Sequence, residues 1–322
     1  MCNPTSSSPR STSIITTMID ASLLHDLLIG PFVEFDFMRR ALAGVLFLSL
    51  SAAPIGVLLM LRRMSLMGDA ISHAVLPGVA AGYMLAGFNI TAMGLGGLIA
   101  GLVVALGVGL ASRYSSLKED ANFAAFYLTC LAIGVLMVSR QGSQVDLLHL
   151  LFGSVLAVDV PTLTLVAGVA SITLVVLALI YRPLLVQIVD PVFLQAVGAR
   201  GTLWHVLFLM LVVLNLVAGF QALGTLMAVG LMMLPAITAR LWRDRMGAIM
   251  LLAVLIALVC GYGGLLLSFH VDLPSGPAII LLCGGVYLFS LLFASQGGMI
   301  PRWLSHRHHQ RAGFTPDRKD AS

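Results

Sequence analysis

The sequence predicts an all-α, polytopic membrane protein with about nine transmembrane helices, and three observations carry that prediction. Hydrophobic residues make up 59% of the 322 residues, and only 10% are charged. Mean hydropathy is +1.01. Apolar runs of roughly 18–22 residues, long enough to cross hydrocarbon at about 1.5 Å per residue, recur from Ala41 onward. A soluble domain carries roughly a quarter of its residues charged. So few charges cannot coat a water-facing surface, and lipid must take that role.

The expected spans, in order, are Ala41–Leu61, Ala70–Gly87, Thr91–Ala111, Ala121–Ser139, Val160–Tyr181, Leu203–Phe220, Ala222–Leu241, Met246–Leu267 and Ser275–Phe293. Each is dense in Leu, Val, Ala and Gly without period-two alternation, which favours helices over barrel strands. Gly94, Gly97 and Gly101, with Gly224 and Gly230, suit close approach of neighbouring helices. Pro77 and Pro235 stand where a kink is expected, Pro235 interrupting the seventh span.

Residues 1–36 precede the first span as an N-terminal tail and an interfacial amphipathic helix, and 37–296 form the transmembrane domain. Met1 to about Thr17 is Ser/Thr/Pro-rich with no apolar h-region, unlike a secretory signal peptide. Ile14 to Phe37 sets Leu23, Leu24, Leu27, Leu28 and Phe32 beside His25, Asp26, Glu34 and Asp36, the pattern of a helix lying in the interface. Residues 297–322 form a basic tail with the run Ser305-His306-Arg307-His308-His309, read either as a zinc sensor or as an anchor beside anionic lipid.

Arginine placement orients the chain. If the first span enters from outside, about 14 of the 18 Lys and Arg residues fall inside, leaving Arg10, Arg39, Arg40 and Arg140 outside. The N-terminus is then expected outside and the C-terminus inside.

Several function classes are excluded. With lysines only at Lys118 and Lys319 and no basic face interleaved with aromatics, no nucleic-acid partner is expected. The chain holds no GxxxxGK[ST], no HExxH and no GxSxG, so it neither cradles nucleotide phosphates nor carries a hydrolytic constellation. Cys2, Cys130, Cys260 and Cys283 lack metal-ligand spacing, and three lie inside apolar runs, where packing is their expected role.

Acids and histidines in or beside the spans come in pairs. Asp69 and His73 are i,i+4 on one helical face, Asp146 and His149 are i,i+3, and His270 and Asp272 are two apart. Charge within a membrane is costly and marks a protein interior or a pathway. Carboxylate and imidazole without thiolate suit a zinc ion, or manganese or ferrous iron, at a site the ion can leave. The competing reading for Asp69 is helix capping, with His73 bonded to a neighbouring helix. For the other two pairs it is ordinary loop polarity. His205, after Trp204, reads as an interfacial anchor.

Two connections stand out. Arg182 to Thr202 places Asp190 as a cap before Pro191 and closes on Gly198 and Gly201, a short amphipathic helix that a partner protein could grip or a plain connector. Asp146 to Val158 is too short to cross and too apolar for a free loop, as in a re-entrant hairpin.

The stretch RRMSLMGDAISHAVLPGVAAG, residues 62–82, strongly resembles the permease family of ABC importers for zinc, manganese and iron, in particular its GDAxSHAxLPG signature. PFVEFDFMRRAL, VDLLHLLFGSVLAV, QALGTLMAVGLMMLPAITARL and SFHVDLPSGPAIIL extend the resemblance over roughly Pro31 to Phe293, and the whole looks closest to proteobacterial zinc-importer permeases. The resemblance implies a type II ABC-importer-like permease, no enzyme, working as a homodimer in the inner membrane. Its partners would be a cytosolic ABC ATPase subunit and a periplasmic metal-binding protein. It implies no permanently bound cofactor, transported Zn2+ (or Mn2+ or Fe2+), and Asp69 and His73 on the path. It further implies that the segment about 190–201, with Asp190, Ala196, Gly198 and Gly201, couples to the ATPase. One departure is Ser154, where many members carry an acid after FG. The alternative mechanism is a proton-coupled secondary transporter working without an ATPase.

Overall fold

The computed structural model describes residues 27–87, 89–114, 119–140, 158–190 and 201–294. Among them every regular element is an α-helix. These are α1 (Gly30–Glu34), α2 (Asp36–Leu61), α3 (Met67–Ala74), α4 (Leu76–Ala86), α5 (Ile90–Tyr114), α6 (Glu119–Arg140), α7 (Val160–Val189), α8 (Gly201–Leu223), α9 (Thr225–Trp242), α10 (Met246–Val271) and α11 (Ser275–Phe293). Seven of them, α2, α5 and α7 to α11, are long and apolar enough to cross a membrane. In α6 the apolar stretch is shorter, Ala121–Met137. The expected second span is present as two pieces, α3 and α4.

The centre of the bundle is α2. It packs against α7, α8, α9 and α10, and every residue from Ser51 to Leu59 is buried. A helix apolar on all sides belongs in such an interior position. Close approach does the work that water would do in a soluble core, because lipid tails are as apolar as leucine. A Cβ at Gly56 would stand 1.9 Å from the Met232 carbonyl oxygen, which fixes how near α2 comes to α9.

A second close crossing is between α4 and α5. A Cβ at Gly78 would meet the Gly96 carbonyl oxygen at 2.1 Å, and one at Gly96 would meet the Gly78 oxygen at 2.2 Å. Of the glycines expected at contacts, Gly94 faces Gln221, Gly97 faces Val75, Gly101 faces Val213 and Gly230 faces Ile280. Gly224 serves the backbone instead. Its φ of 88° makes the turn from α8 into α9, a region that side chains disfavour.

Local chemistry explains the helix ends. At the end of α2, Arg63 takes φ 61°, its N–H bonds to the Met60 carbonyl, and the Met64 N–H reaches back to Leu59. This is a Schellman stop with arginine where glycine is usual. Pro77 lies in the first turn of α4, lacks an N–H, and so denies the His73 carbonyl its helical donor. The span therefore breaks at Val75. Pro235 differs from expectation, since α9 runs through it unbroken with the ring buried. The fifth span does not end at Tyr181. Helix α7 continues through Pro183 to Val189.

At the other end of α7, Asp159 is the N-cap, accepting from the Thr162 N–H at 3.0 Å. The first span starts at Asp36 instead of Ala41, and Asp36 pairs with Arg39. Of the expected interfacial helix, the described part is short and docked. Phe32 stacks on Tyr262 at 5.0 Å, and the Tyr262 hydroxyl donates to the Leu28 carbonyl at 2.7 Å. Cys260 on α10 and Cys283 on α11 are buried free thiols, a packing position as expected.

Replacing Gly78 by alanine should lower the unfolding temperature of the detergent-solubilised protein, because the new Cβ meets backbone on α5. Gly284→Ala, where nothing lies within 4 Å, should be neutral or stabilising by up to about 1 kcal/mol. Asp159→Ala should cost about 1 kcal/mol at neutral pH. The Thr162 hydrogen bonds hold the Asp159 carboxyl below its usual value of 3.8. The contribution is thus complete above that value and fades as pH falls through the lower folded value, so thermal melts of wild type and Asp159→Ala should converge in strong acid.

Candidate functional site

Helix α3, MGDAISHA, leaves the Schellman stop of α2 and lies against α9, where Gly68 faces the Met232 methyl group. Its Ser72 hydroxyl is used internally, donating to the Gly68 carbonyl at 2.8 Å. Asp69 occupies the first turn and His73 the last, so the i,i+4 spacing delivers both to one face. The His73 Nε2 and Asp69 Oδ1 atoms are 3.7 Å apart. The Asp69 side chain is 68% exposed and that of His73 32%. The His73 ring stands 6.2 Å from that of Tyr127 on α6.

Capping does not occupy Asp69. The N-cap of α3 is Leu66, and no side-chain bond closes it. The carboxylate still sits in the first turn of α3, at the positive end of the helix dipole. Zinc binds nitrogen and oxygen at about 2.0–2.2 Å, so two donors 3.7 Å apart can both reach one ion. Among the described residues no three His, Cys, Asp or Glu side chains converge. Two protein donors fall short of the four that a structural zinc site uses.

The remaining expectations divide. Asp146 and His149 lie outside the described residues, as do Ala196, Gly198 and the His-rich tail. Asp190 is described: it ends α7, its N–H bonded to the Val186 carbonyl at 2.8 Å. Gly201 opens α8 instead of closing a loop. The His270 Nδ1–H donates to the Leu266 carbonyl within α10 at 2.8 Å. Asp272 takes the left-handed conformation (φ 52°) that stops α10, and no ion pair joins it to His270 among the described residues.

His205 is not an exposed anchor. It is buried, and its Nδ1 lies 2.8 Å from an Arg62 guanidinium nitrogen. A second guanidinium nitrogen donates to Gln187 Oε1 at 2.9 Å, and the Gln187 amide donates to the Gly201 carbonyl at 3.2 Å. Another polar contact escaped the sequence reading. The Asn215 amide donates to Thr173 Oγ1 at 2.6 Å between α8 and α7, both residues being buried. A lone asparagine inside the run LFLMLVVLNLVAGF was the available signal. Its Oδ1 is buried without a hydrogen bond among the described residues.

Interhelical bonds of this kind are worth about 0.6–1.7 kcal/mol in membrane proteins. A double-mutant cycle on Asn215→Leu and Thr173→Val, read by reversible unfolding in mixed micelles, should give a coupling energy in that range.

Comparison with known proteins agrees with this architecture. Residues 34–294 match the ABC 3 transport family. The manganese transport system membrane protein MntC of Halalkalibacterium halodurans is 33% identical over 272 residues, covering 84% of this chain and 92% of that protein. The chelated iron transport system membrane protein YfeC of Yersinia pestis is 31% identical over 275 residues, covering 85% and 92%. The solved structure of PsaBC from Streptococcus pneumoniae in complex with Fab superposes with a TM-score of 0.74 at 29% identity, covering 87% of this chain and 98% of that one. The chain therefore belongs to the ABC 3 transport family, as a polytopic permease subunit and not an enzyme.

Proposed function

We infer that this chain is the membrane-spanning subunit of an ATP-driven importer for a divalent first-row metal ion. The observation that carries the reading is the Asp69–His73 pair, one carboxylate and one imidazole on a helix that breaks one residue later. Broken helices near the middle of a transporter are where ion sites are built. With no phosphate-binding loop in the chain, nucleotide hydrolysis belongs to a separate cytosolic ATPase subunit. A metal-binding protein outside would deliver the ion, and a second permease copy would complete the pathway. The arginine map supports insertion in the bacterial inner membrane with the N-terminus outside and the C-terminus inside.

The ion would enter from the donor protein, pass Asp69 and His73, and leave to the cytosol as the spans rock between outward and inward states. The donor set fits zinc, manganese and ferrous iron alike. Zinc is favoured by the resemblance of the whole pattern to zinc-importer permeases, whereas relatives named for manganese and iron favour those metals. Membership of an ABC family weighs against a proton-coupled carrier working alone.

The test is uptake by proteoliposomes containing the chain and its ATPase subunit, fed by the loaded donor protein, with zinc, manganese and ferrous iron measured separately. Uptake should require ATP, and Asp69→Ala or His73→Ala should reduce it at least tenfold while insertion and assembly persist. Acidification should weaken it, since ligation needs ionised carboxylate and neutral imidazole. Wild-type uptake by both variants would remove the pair from the path. Uptake by the chain alone under a pH gradient would establish the secondary carrier.

A further inference from the structure

Where α2 stops, two other helices are drawn to one side chain. Arg62 is the C-cap of α2. Its Nη1 is 2.8 Å from His205 Nδ1, its Nη2 donates to Gln187 Oε1 at 2.9 Å, and the guanidinium lies 4.7 Å from the centre of the Phe208 ring. A guanidinium only donates, so His205 accepts at Nδ1 and its ring is neutral with the proton on Nε2. Gln187, three residues before Asp190, then passes the connection on by donating to the Gly201 carbonyl at 3.2 Å.

These partners bracket one segment. Gln187 lies in the last turn of α7, and Gly201 and His205 lie in the first turns of α8. Arg62 and Gln187 thus hold both ends of the connection between those helices, the segment that the family resemblance implies contacts the ATPase. On its other side Arg62 is followed by the left-handed Arg63, the buried Met64 and then α3, which begins at Met67. Only this short, hydrogen-bonded turn separates the guanidinium from the helix bearing Asp69 and His73.

We propose that Arg62 is a positioning residue that links the two ends of the 190–201 segment, through Gln187 and His205, to the metal-carrying helix α3. The geometry suits a linkage better than a plain helix staple. The planar fork addresses α7 and α8 at once from fixed directions, which a lysine cannot do. The Schellman turn ties the arginine backbone to α2 while its side chain follows α7 and α8. A shift of those helix ends against α2 must therefore displace Arg62 or break its bonds, and either outcome alters the entry to α3. Coupling of this kind needs two arrangements of one contiguous network, and this network is contiguous.

The inference rests on the ATP-driven reading and is tested in the same proteoliposomes, with zinc and manganese as probes. The measured quantity is ions taken up per ATP hydrolysed. Arg62→Lys keeps the charge but loses the fork, and Gln187→Leu cuts the connection to both Arg62 and Gly201. Each should lower the ratio by between about two- and thirtyfold, with ATP hydrolysis by the assembled complex retained. Gln187→Glu, which keeps an acceptor for Arg62, should restore most of the ratio. An unchanged ratio in both loss variants would overturn the linkage. So would uptake and hydrolysis falling together in step with thermal stability, or failure of both variants to fold, since a structural staple predicts each. If wild-type complex shows no ATP-dependent uptake, the failure lies in the functional reading and not in the linkage.

Discussion

Hydrocarbon offers no partner to a peptide N–H or C=O, and this constraint shapes the chain more than any single contact. Spanning segments must be helical, and a helix can break only where protein covers the break. The break at Val75 meets that condition, since α3 lies on α6, α8 and α9 while α4 is clasped by α5 and α6. Glycine makes the clasp possible, because the Gly78 and Gly96 backbones are too close for side chains. Pro77 cannot donate to the His73 carbonyl, so it interrupts the hydrogen-bond ladder where α3 ends.

The polar residues of the bundle sort by where their hydrogen bonds go. Ser51, Ser72 and Thr238 return their hydroxyls to carbonyls one turn earlier on their own helices, at 3.1, 2.8 and 2.7 Å. The Asn215 amide donates to Thr173 between helices, while its Oδ1 finds no partner among the described residues. Arg62, Gln187 and His205 form a network across three elements. Asp69 and His73 do neither: apart from their long mutual approach, neither side chain hydrogen-bonds to a described residue. Both side chains keep exposed surface, Asp69 more than His73, so their donor atoms stay accessible.

Helix number and class were legible because twenty-residue apolar runs leave little choice. Boundaries were less so, for reasons visible at particular residues. Arg182-Pro183 reads as a stop, yet Pro183 is carried inside α7 to Val189. Pro235 reads as an interruption and is carried inside α9. Proline costs a single bond, and neighbouring helices decide whether that loss ends a helix. The Asp69–His73 pair was legible because its spacing is local. The Arg62–His205 contact was not, because residues 143 apart in sequence meet only through packing. Arginine at a helix end read as a topology signal, and histidine after tryptophan read as an anchor. Both readings describe single residues, whereas the network belongs to the fold.

Two donors also bear on metal choice. Affinity of an imidazole–carboxylate pair rises from manganese through iron toward zinc whatever the biological cargo. A route built on this pair would bind zinc more firmly than manganese if affinity alone ruled. Transport punishes firm binding, since an ion held tightly at a midway point leaves slowly. Holding the ion with two protein atoms, and leaving its other positions to water or passing groups, keeps that penalty small for every candidate. In the proposed importer, selection then falls to the delivering protein outside and to the timing of ATP-driven closure. The pair would then guide an ion already chosen, and guidance without capture is what a sparse ligand set provides.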